Sequence, residues 1–589
     1  CLAHALGARD KRELSEAPPT LDPEQVSPPT TRSEGMESET QRLLGGMAWD
    51  EDQTEVLNKP RDARLLVEAP PGAGKTEVAC GRVAALISAG VAPSNIMLVS
   101  FTRAAVAEIR DRIGSFVENP HTAFEVRITT LDSQAWHLLY GFTDEEAKGL
   151  LSGYEGNINR VIELLREKND QLLDYLEMNV DHLIVDEAQD LVGDRAVLVA
   201  ELIEALRPDC GVTVFADPAQ AIYGFASEDG IQRDADKSLL EMLADRNFEA
   251  ITLRTIHRTD SPELLAICTA GRSYCLDDAK CDMDRLNGIK ECITGHAPAE
   301  ARSIGKDANN WFAELSEDSL LLFRRRAECL RASSYLSGRN VLHRLRMGGL
   351  PRPVDPWIGW LLSTNEGELL SREEFDCLWD ERHIPGLFGD LQPDTAWALL
   401  VGIGRLDRGR LNVRRLREHL SLSRPPDEVS SNDVGVEGPI LGTIHASKGR
   451  EAPCVHLMLP ENECWEMDHK QRSEEARVLY VGATRAREQL CVGSGYNLIS
   501  PKPPTSGRTA AYVRFRNDRM QVELGLANDI DMTASVREDI VGSVSEVQRL
   551  IAEAHGRLIE LRADRCPSGY YRICVGSDRG GRVISQFNK

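Results

Sequence analysis

The 589-residue chain contains no apolar run long enough to cross a bilayer, which takes roughly 18 residues or more. No membrane-spanning helix and no membrane partner are therefore expected. The N-terminus lacks a basic start followed by an apolar core, so no secretory leader is expected and a cytoplasmic location is. Fourteen cysteines are present, but none pair as CxxC, and the densest set, Cys268, Cys275, Cys281 and Cys292, lacks the spacing of a zinc ligand set. Reduced cytosolic thiols are the expectation. Positive charge is in deficit: 69 Lys and Arg against 93 Asp and Glu leave a net charge of −24. As a sum this argues against a nucleic-acid binder, because phosphate contacts need cations. Distribution matters more than the sum: arginines concentrate at 324–352 and again at 405–417. No internal repeat recurs.

The length is too great for one core. Residues 1–45 are rich in Pro, Ser, Thr and Glu and read as a disordered tail. From about Trp49 to Thr255 strand-like and helix-like segments alternate, which argues for a parallel sheet with helices on both faces. The expected strands there are 64–68, 95–100, 126–129, 182–185, 212–215 and 250–253. Strand patterns return at "SLLLF", "PILGTIHA", "APCVHLML" and "EQLCVGSG", a second α/β unit interrupted by a helical, Arg-rich segment. The division is 46–256 with a short helical insertion at about 137–179, 257–500 with an insertion at about 330–437, and a small unit at 501–589.

The stretch "VEAPPGAGKTEVACG", residues 67–81, reads as a strand end, a glycine-rich loop and a helix start. Glycine lets backbone N–H groups curl around an anion, and the helix N-terminus adds its dipole. Ala69, Pro70, Pro71, Gly72, Ala73 and Gly74 form this cradle; Lys75 would reach the β- and γ-phosphates and the Thr76 hydroxyl would hold Mg²⁺. The general pattern has glycine where Ala69 stands. A switch, a small-molecule kinase and a nucleic-acid motor all use such a loop, so it does not name the substrate.

"HLIVDEAQD", residues 182–190, is an apolar strand ending in Asp186 and Glu187. A carboxylate at the C-terminal edge of a strand beside a phosphate loop suits Mg²⁺, which Asp186 would hold through water. Glu187 would then activate the attacking water as general base.

With this second site the sequence resembles the UvrD/Rep family of superfamily 1 helicases. "VDEAQD" is similar to motif II, "EDQTEVL" to the Q motif and "APPGAGKT" to motif I. "VSFTRAAVAEIRDRI" (99–113), "TTLDSQAWHLL" (129–139) and "FADPAQAIYGF" (215–225) resemble motifs Ia, Ib and III. "LRTIHRT" (253–259), "GTIHASKGREA" (442–452) and "EEARVLYVGATRARE" (474–488) resemble motifs IV, V and VI. They follow the family's order from position 51 to 488, leaving the tail and the last ninety or so residues uncovered.

The resemblance implies an α/β protein of two RecA-like parallel-sheet P-loop domains with helical insertions and a small C-terminal unit. It implies ATP and Mg²⁺ between them. Gln53 would read the adenine edge and Glu451 the ribose hydroxyl; Gln220 would line the site, and Arg258 and Arg485 would meet the γ-phosphate. Planar guanidinium groups suit charge spread over transferring phosphoryl oxygens. His257 stands where the family usually offers a Tyr to the adenine face, and Arg450 and Ala452 replace residues that are usually apolar. For DNA, Phe101, Tyr223 and Phe225 match aromatics that stack on or pocket bases, which is sequence-tolerant. Thr102, Arg103, Thr130, Ser133, Thr443 and His445 would touch the backbone.

The implied activity is an ATP-dependent DNA helicase or translocase moving 3′ to 5′ on single-stranded DNA and 3′-tailed duplex, in repair, recombination or replication. A second reading is a DNA-stimulated ATPase subunit that senses DNA and regulates a partner nuclease in phage defence. A non-motor ATP-binding module is disfavoured by intact Lys75, Glu187 and Arg485. No carboxylate–lysine nuclease cluster stands out in 490–589. Both insertions are short, and "GIGRLDRGRLNVRRLREHL", 402–420, is either a Gly hairpin and basic helix for duplex phosphates or a loop and a solvated amphipathic helix.

Overall fold

The computed structural model describes residues 48–586 apart from short breaks, the longest at 141–153, 223–237, 304–310, 460–468, 496–509, 524–530 and 554–560. The expected 1–45 tail lies outside the described residues.

Helix α1 (Glu51–Asn58) begins on a capping box: Asp50 accepts from the Gln53 N–H and Gln53 reaches back to the Asp50 N–H. Six parallel strands follow: β1 (Arg64–Glu68), β2 (Ile96–Ser100), β3 (Arg127–Thr130), β4 (His182–Val185), β5 (Gly211–Ala216) and β6 (Glu249–Thr252). Their order across the sheet is β3-β2-β4-β5-β1-β6. Every residue of β2, β4 and β5 is buried, which is why they read as unbroken apolar runs. Leu65, Val67, Leu98, Ile184 and Phe215 pack on one face with α2 (Lys75–Ser88). Val99, Leu183, Val185, Val212 and Val214 pack on the other. The insertion expected at 137–179 contains α3 (Tyr154–Arg166) and α4 (Asp170–Asn179). Their Ile158, Val161, Leu165, Leu172 and Leu176 share that second core with α5 (Gly193–Ala205), so the insertion lies on the sheet.

A second all-parallel sheet is built from β7 (Arg302–Ser303), β8 (Leu320–Phe323), β9 (Arg344–Arg346), β13, β14 and β15, in the order β7-β15-β14-β8-β13-β9. The strands β13 (Ile440–Thr443), β14 (Ala452–Leu459) and β15 (Ala486–Ser494) come late in the chain. Helices α6 (Asp282–His296) and α9 (His469–Ala483) cover one face, and α7 (Arg326–Ser337) packs on the other. The insertion expected at 330–437 is therefore narrower: α7 and the edge strand β9 belong to the second sheet. The reason is register, since Arg344, Leu345 and Arg346 pair with Ile440, Leu441 and Gly442.

Within that stretch a separate core forms around Trp357, Phe375, Trp379, Phe388, Leu411 and Leu416. It includes β10 (Leu369–Leu370), β11 (Leu406–Asp407), β12 (Arg410–Asn412) and α8 (Val413–Leu420). The C-terminal stretch holds a hairpin, β16 (Ala510–Phe515) with β17 (Asp518–Glu523). An antiparallel sheet of β18 (Leu561–Arg565), β19 (Tyr571–Val575) and β20 (Arg582–Gln586) follows. Among the described residues no helix is long and apolar enough to cross a membrane.

Candidate nucleotide and nucleic-acid sites

The glycine-rich loop leaves the C-terminal end of β1, and the adjacent β5 and β4 end in Asp217 and Asp186. Three neighbouring strand ends thus face one crevice, where open α/β sheets bind ligands. Gly72 and Gly74 both take positive φ, 82° and 78°. A Cβ on Gly72 would lie 2.5 Å from the Arg258 Cβ, so only glycine lets the 254–258 segment close over the loop. The His257 N–H donates to the Gly72 carbonyl at 2.8 Å. Ala69, where the general pattern has glycine, is buried and its N–H donates to the Ala216 carbonyl, so a methyl is accommodated inside the core. Pro70 accepts from the Ala73 N–H, closing the turn, and Pro71 is buried.

Lys75 opens α2 and its ammonium is 2.5 Å from Glu187 Oε2 and 3.9 Å from Asp186 Oδ1. Thr76 follows in the first turn. Glu187 sits in the left-handed region at φ 54°, strained backbone of the kind that gathers at functional sites. Its carboxylate accepts from Gln189, whose own Oε1 accepts the Asp217 N–H at 3.0 Å. Burial raises both acids, yet Lys75 and Lys448 outweigh it for Glu187 and hold that carboxyl at about 2. For Asp186 burial wins over Lys75 and the pKa is about 6; Asp190 is likewise pushed up to about 6 by burial against the pull of Lys448. Three carboxylates, Asp186 buried and Glu187 and Asp190 half-buried, face two ammonium groups. That donor set is one positive charge short, which fits a divalent cation beside Asp186.

The second sheet completes the pocket. Arg485 is buried between α9 and β15, and its Nη2 donates to Gln220 Oε1 at 2.8 Å while its Nε donates to the Val481 carbonyl at 2.9 Å. Gln220 in turn donates to Asp217 Oδ2 at 2.7 Å. Arg258 donates to the Thr484 carbonyl at 2.6 Å and pairs with Glu451. Burial lowers Arg485 to about 10, which still leaves it charged at neutral pH. Gln53 donates to the Ala73 carbonyl at 3.1 Å, holding the loop from behind, and His257 shares a hydrogen bond of 2.7 Å with Asp50 Oδ2.

Sequence reasoning missed the cross-sheet clamp. Lys448 pairs with Asp190 and donates to the Gln220 carbonyl at 2.8 Å, and Arg272 bridges Glu68 and Asp217. Both lysine and aspartate lie inside the motifs "ASKGRE" and "VDEAQD", so the signal was present as charge of opposite sign in two motifs that meet only in space.

The nucleic-acid set is less complete. Phe101, Thr102, Tyr223 and Phe225 lie outside the described residues, and of Arg103 only the backbone, at the start of a helix, is described. Thr130 and Thr443 are buried, and their hydroxyls accept the N–H of Ser133 and Ala446 at 3.3 Å, so both cap local turns. His445 is half-buried beyond β13; burial, with Arg324 and Lys448, lowers it to about 3 and keeps it neutral.

Comparison with known proteins matches residues 49–148 and 148–237 to the UvrD/REP helicase N-terminal domain, and residues 440–492 to the UvrD-like helicase C-terminal domain. These are UvrD/Rep-like superfamily 1 helicase domains, matched over the segments whose motifs resemble that family. The two parallel sheets give the α/β architecture that the sequence led us to expect. Among relatives, an ATP-dependent helicase/nuclease subunit of Clostridioides difficile is 27% identical over 238 residues, 37% of this chain and 18% of the relative. The like-named protein of Lachnoclostridium phytofermentans is 36% identical over 103 residues, 15% of this chain and 7% of the relative. The ATP-dependent DNA helicase UvrD1 of Mycobacterium leprae is 36% identical over 104 residues, 18% of this chain and 13% of the relative. The chain thus spans only a small part of each relative's length.

Proposed function

We propose that this chain is an ATP-hydrolysing motor that moves 3′ to 5′ on single-stranded DNA and separates strands at 3′-tailed duplexes. The observation that carries the reading is convergence. Lys75, Glu187 and Gln220 from the first sheet meet Arg485 and Lys448 from the second in one buried network. A pocket built from both sheets changes when they move relative to one another, which is what a motor needs.

The geometry supports the following roles. Bound Mg²⁺, with Thr76 and Asp186 as its protein partners, would supply charge for the phosphate oxygens. The loop N–H groups and Lys75 bind the phosphates, so Lys75 must exchange its partner Glu187 for an anion. Glu187, released from that pair and already ionised, then takes a proton from water. Arg485 and Arg258 neutralise charge on the γ-phosphoryl group. His257, Gln53 and Glu451 line the nucleoside end. Thr130, Ser133, Thr443 and His445, with Phe101, Thr102, Arg103, Tyr223 and Phe225, make the nucleic-acid track.

The test is ATP hydrolysis with and without single-stranded DNA, followed by displacement of 3′-tailed and 5′-tailed duplexes. Strong stimulation and displacement from 3′ tails alone are expected. Equal rates with and without DNA would remove the coupling. A second reading, a DNA-stimulated ATPase subunit that regulates a nuclease, is favoured by the α3–α4 insertion lying flat on the first sheet. DNA-stimulated hydrolysis without displacement of either substrate selects it.

A further inference from the structure

Away from the nucleotide pocket, β14 and β15 bring three soft ligands together. Cys454 and His456 are two residues apart on β14, so their side chains leave the same face of the sheet. Cys491 is the register partner of His456 on β15. One ligand atom from each lies within 4.8 Å of the others, and Cys454 Sγ is 3.3 Å from His456 Nε2. A tetrahedral Zn²⁺, with Zn–S near 2.3 Å and Zn–N near 2.0–2.1 Å, holds a sulfur and a nitrogen about 3.5 Å apart and two sulfurs about 3.8 Å apart. The cluster needs only side-chain adjustment to reach those spacings.

Two simpler explanations fit less well. Hydrogen bonding does not account for the imidazole: His456 is 2% exposed, its Nε2 meets a sulfur, a weak partner, and its Nδ1 has no hydrogen-bond partner among the described residues. The Trp311 ring, 5.2 Å away between centroids, shields it further. A disulfide is excluded by register. Cys454 stands opposite Gln489, so Cys491 lies diagonally across the pair. Adjacent strands and a two-residue offset put those Cα atoms about 8 Å apart, beyond disulfide reach.

We propose that Cys454, His456 and Cys491 bind one Zn²⁺ through two thiolates and an imidazole, with water in the fourth position. Thiolate ligands select Zn²⁺ over Mg²⁺ or Ca²⁺. Binding releases the two thiol protons to solvent. The ligands escape a CxxC search because the site is C-x-H on one strand and a cysteine on its neighbour. Its position is telling: β14 and β15 begin directly after Glu451 and Arg485, with a bulge between Ala452 and Cys454. The metal pins the register of the two strands just past that bulge.

The test uses tag-free full-length protein, stripped with EDTA, reloaded with Zn²⁺ and desalted. About one Zn²⁺ per chain is expected, and Co²⁺ in its place gives thiolate-to-cobalt charge transfer and tetrahedral d–d bands. Cys454→Ser and His456→Asn each lose the bound metal, whereas Cys281→Ser, exposed and outside the cluster, retains it. In the wild-type protein Zn²⁺ suppresses alkylation of Cys454 but not of Cys281 or Cys377, by peptide mapping. This readout holds even where a variant fails to fold. A metal content below about a tenth per chain overturns the proposal. Equal metal in all variants, or Cys454 labelling indifferent to Zn²⁺, overturns it too.

Discussion

Lys75 and Glu187 form an ion pair in a site whose two partners do different work, so their removal separates binding from chemistry. Lys75→Ala would delete the proposed phosphate contact, and ATP affinity itself should fall in equilibrium titration. Glu187→Gln keeps the shape but not the basicity; ATP should still bind while turnover drops by about 10²–10⁴-fold. Wild-type turnover by that variant would remove Glu187 as the base. Asp186 gives the pH dependence. Its pKa is raised to about 6 by burial, against Lys75 and with Glu187 and Asp190 nearby. Below that value it is protonated and cannot serve a cation, so hydrolysis should fall as pH drops through about 6. Because metal and proton compete for one carboxylate, higher Mg²⁺ should move the midpoint to lower pH, and a midpoint indifferent to Mg²⁺ would sink the assignment. The stability sign is opposite. A raised folded-state pKa means a contribution present below the unfolded pKa and lost as pH rises through about 6. Asp186→Asn should therefore unfold at higher temperature than wild type at pH 7.5 without Mg²⁺, by on the order of 1 kcal/mol, while losing activity.

At the scale of elements, the hairpin of β11 and β12 is an observation that bears on duplex contact. Its turn residues Arg408 and Gly409 both take positive φ, 49° and 78°, the pattern of a tight primed turn matched to strand twist. Arg410 pairs with Glu374, Arg414 with Glu418, and Arg417 donates to the Asn365 carbonyl. Arg405, Arg408 and Arg415 make no ion pair among the described residues and are exposed. Exposed cations before, on and just after a tight hairpin, with no carboxylate partner among the described residues, favour phosphate contact over the purely solvated reading. Arg408→Glu with Arg415→Glu should weaken binding to tailed duplex more than to single strand, and lower the salt slope by about one per lost contact. Equal loss on both substrates would return these arginines to the solvated reading. The same segment shows what sequence could and could not give. Buried strands such as β4 and β5 were legible because burial on both faces forces continuous apolar runs. Edge strand β9, three residues with only Arg346 buried, carries no such run, so in sequence its stretch reads as part of a helical insertion. The residues that meet in the pocket stand in the sequence as motifs, whereas the turn-capping bonds of Thr130 and Thr443 do not show there, because a motif says which residue is present and not where its hydroxyl turns.

For the molecule as a whole, the question is whether the two sheets act as one catalyst. Arg485 lies 410 positions beyond Lys75, yet it is 3% exposed and its guanidinium rests on Gln220 of the first sheet. Gln220 is held in turn by Asp217 and, through its carbonyl, by Lys448. On the proposed role, a guanidinium held between the two sheets would meet a γ-phosphate only while they are together, making closure and hydrolysis one event. Arg485→Ala should lose about 10³-fold or more in single-turnover hydrolysis at saturating DNA while retaining ATP and DNA binding. Arg485→Lys should rescue poorly, because a point charge cannot satisfy Gln220, the Val481 carbonyl and a phosphate together. Gln220→Ala should act through the same contact. A double-mutant cycle on DNA-stimulated turnover should then show strong non-additivity, with a coupling of about 0.5–3 kcal/mol, because the second change removes a partner already lost. Additive effects would mean that the arginine and the glutamine work separately, and that the bond between the sheets is a resting contact with no part in the chemical step.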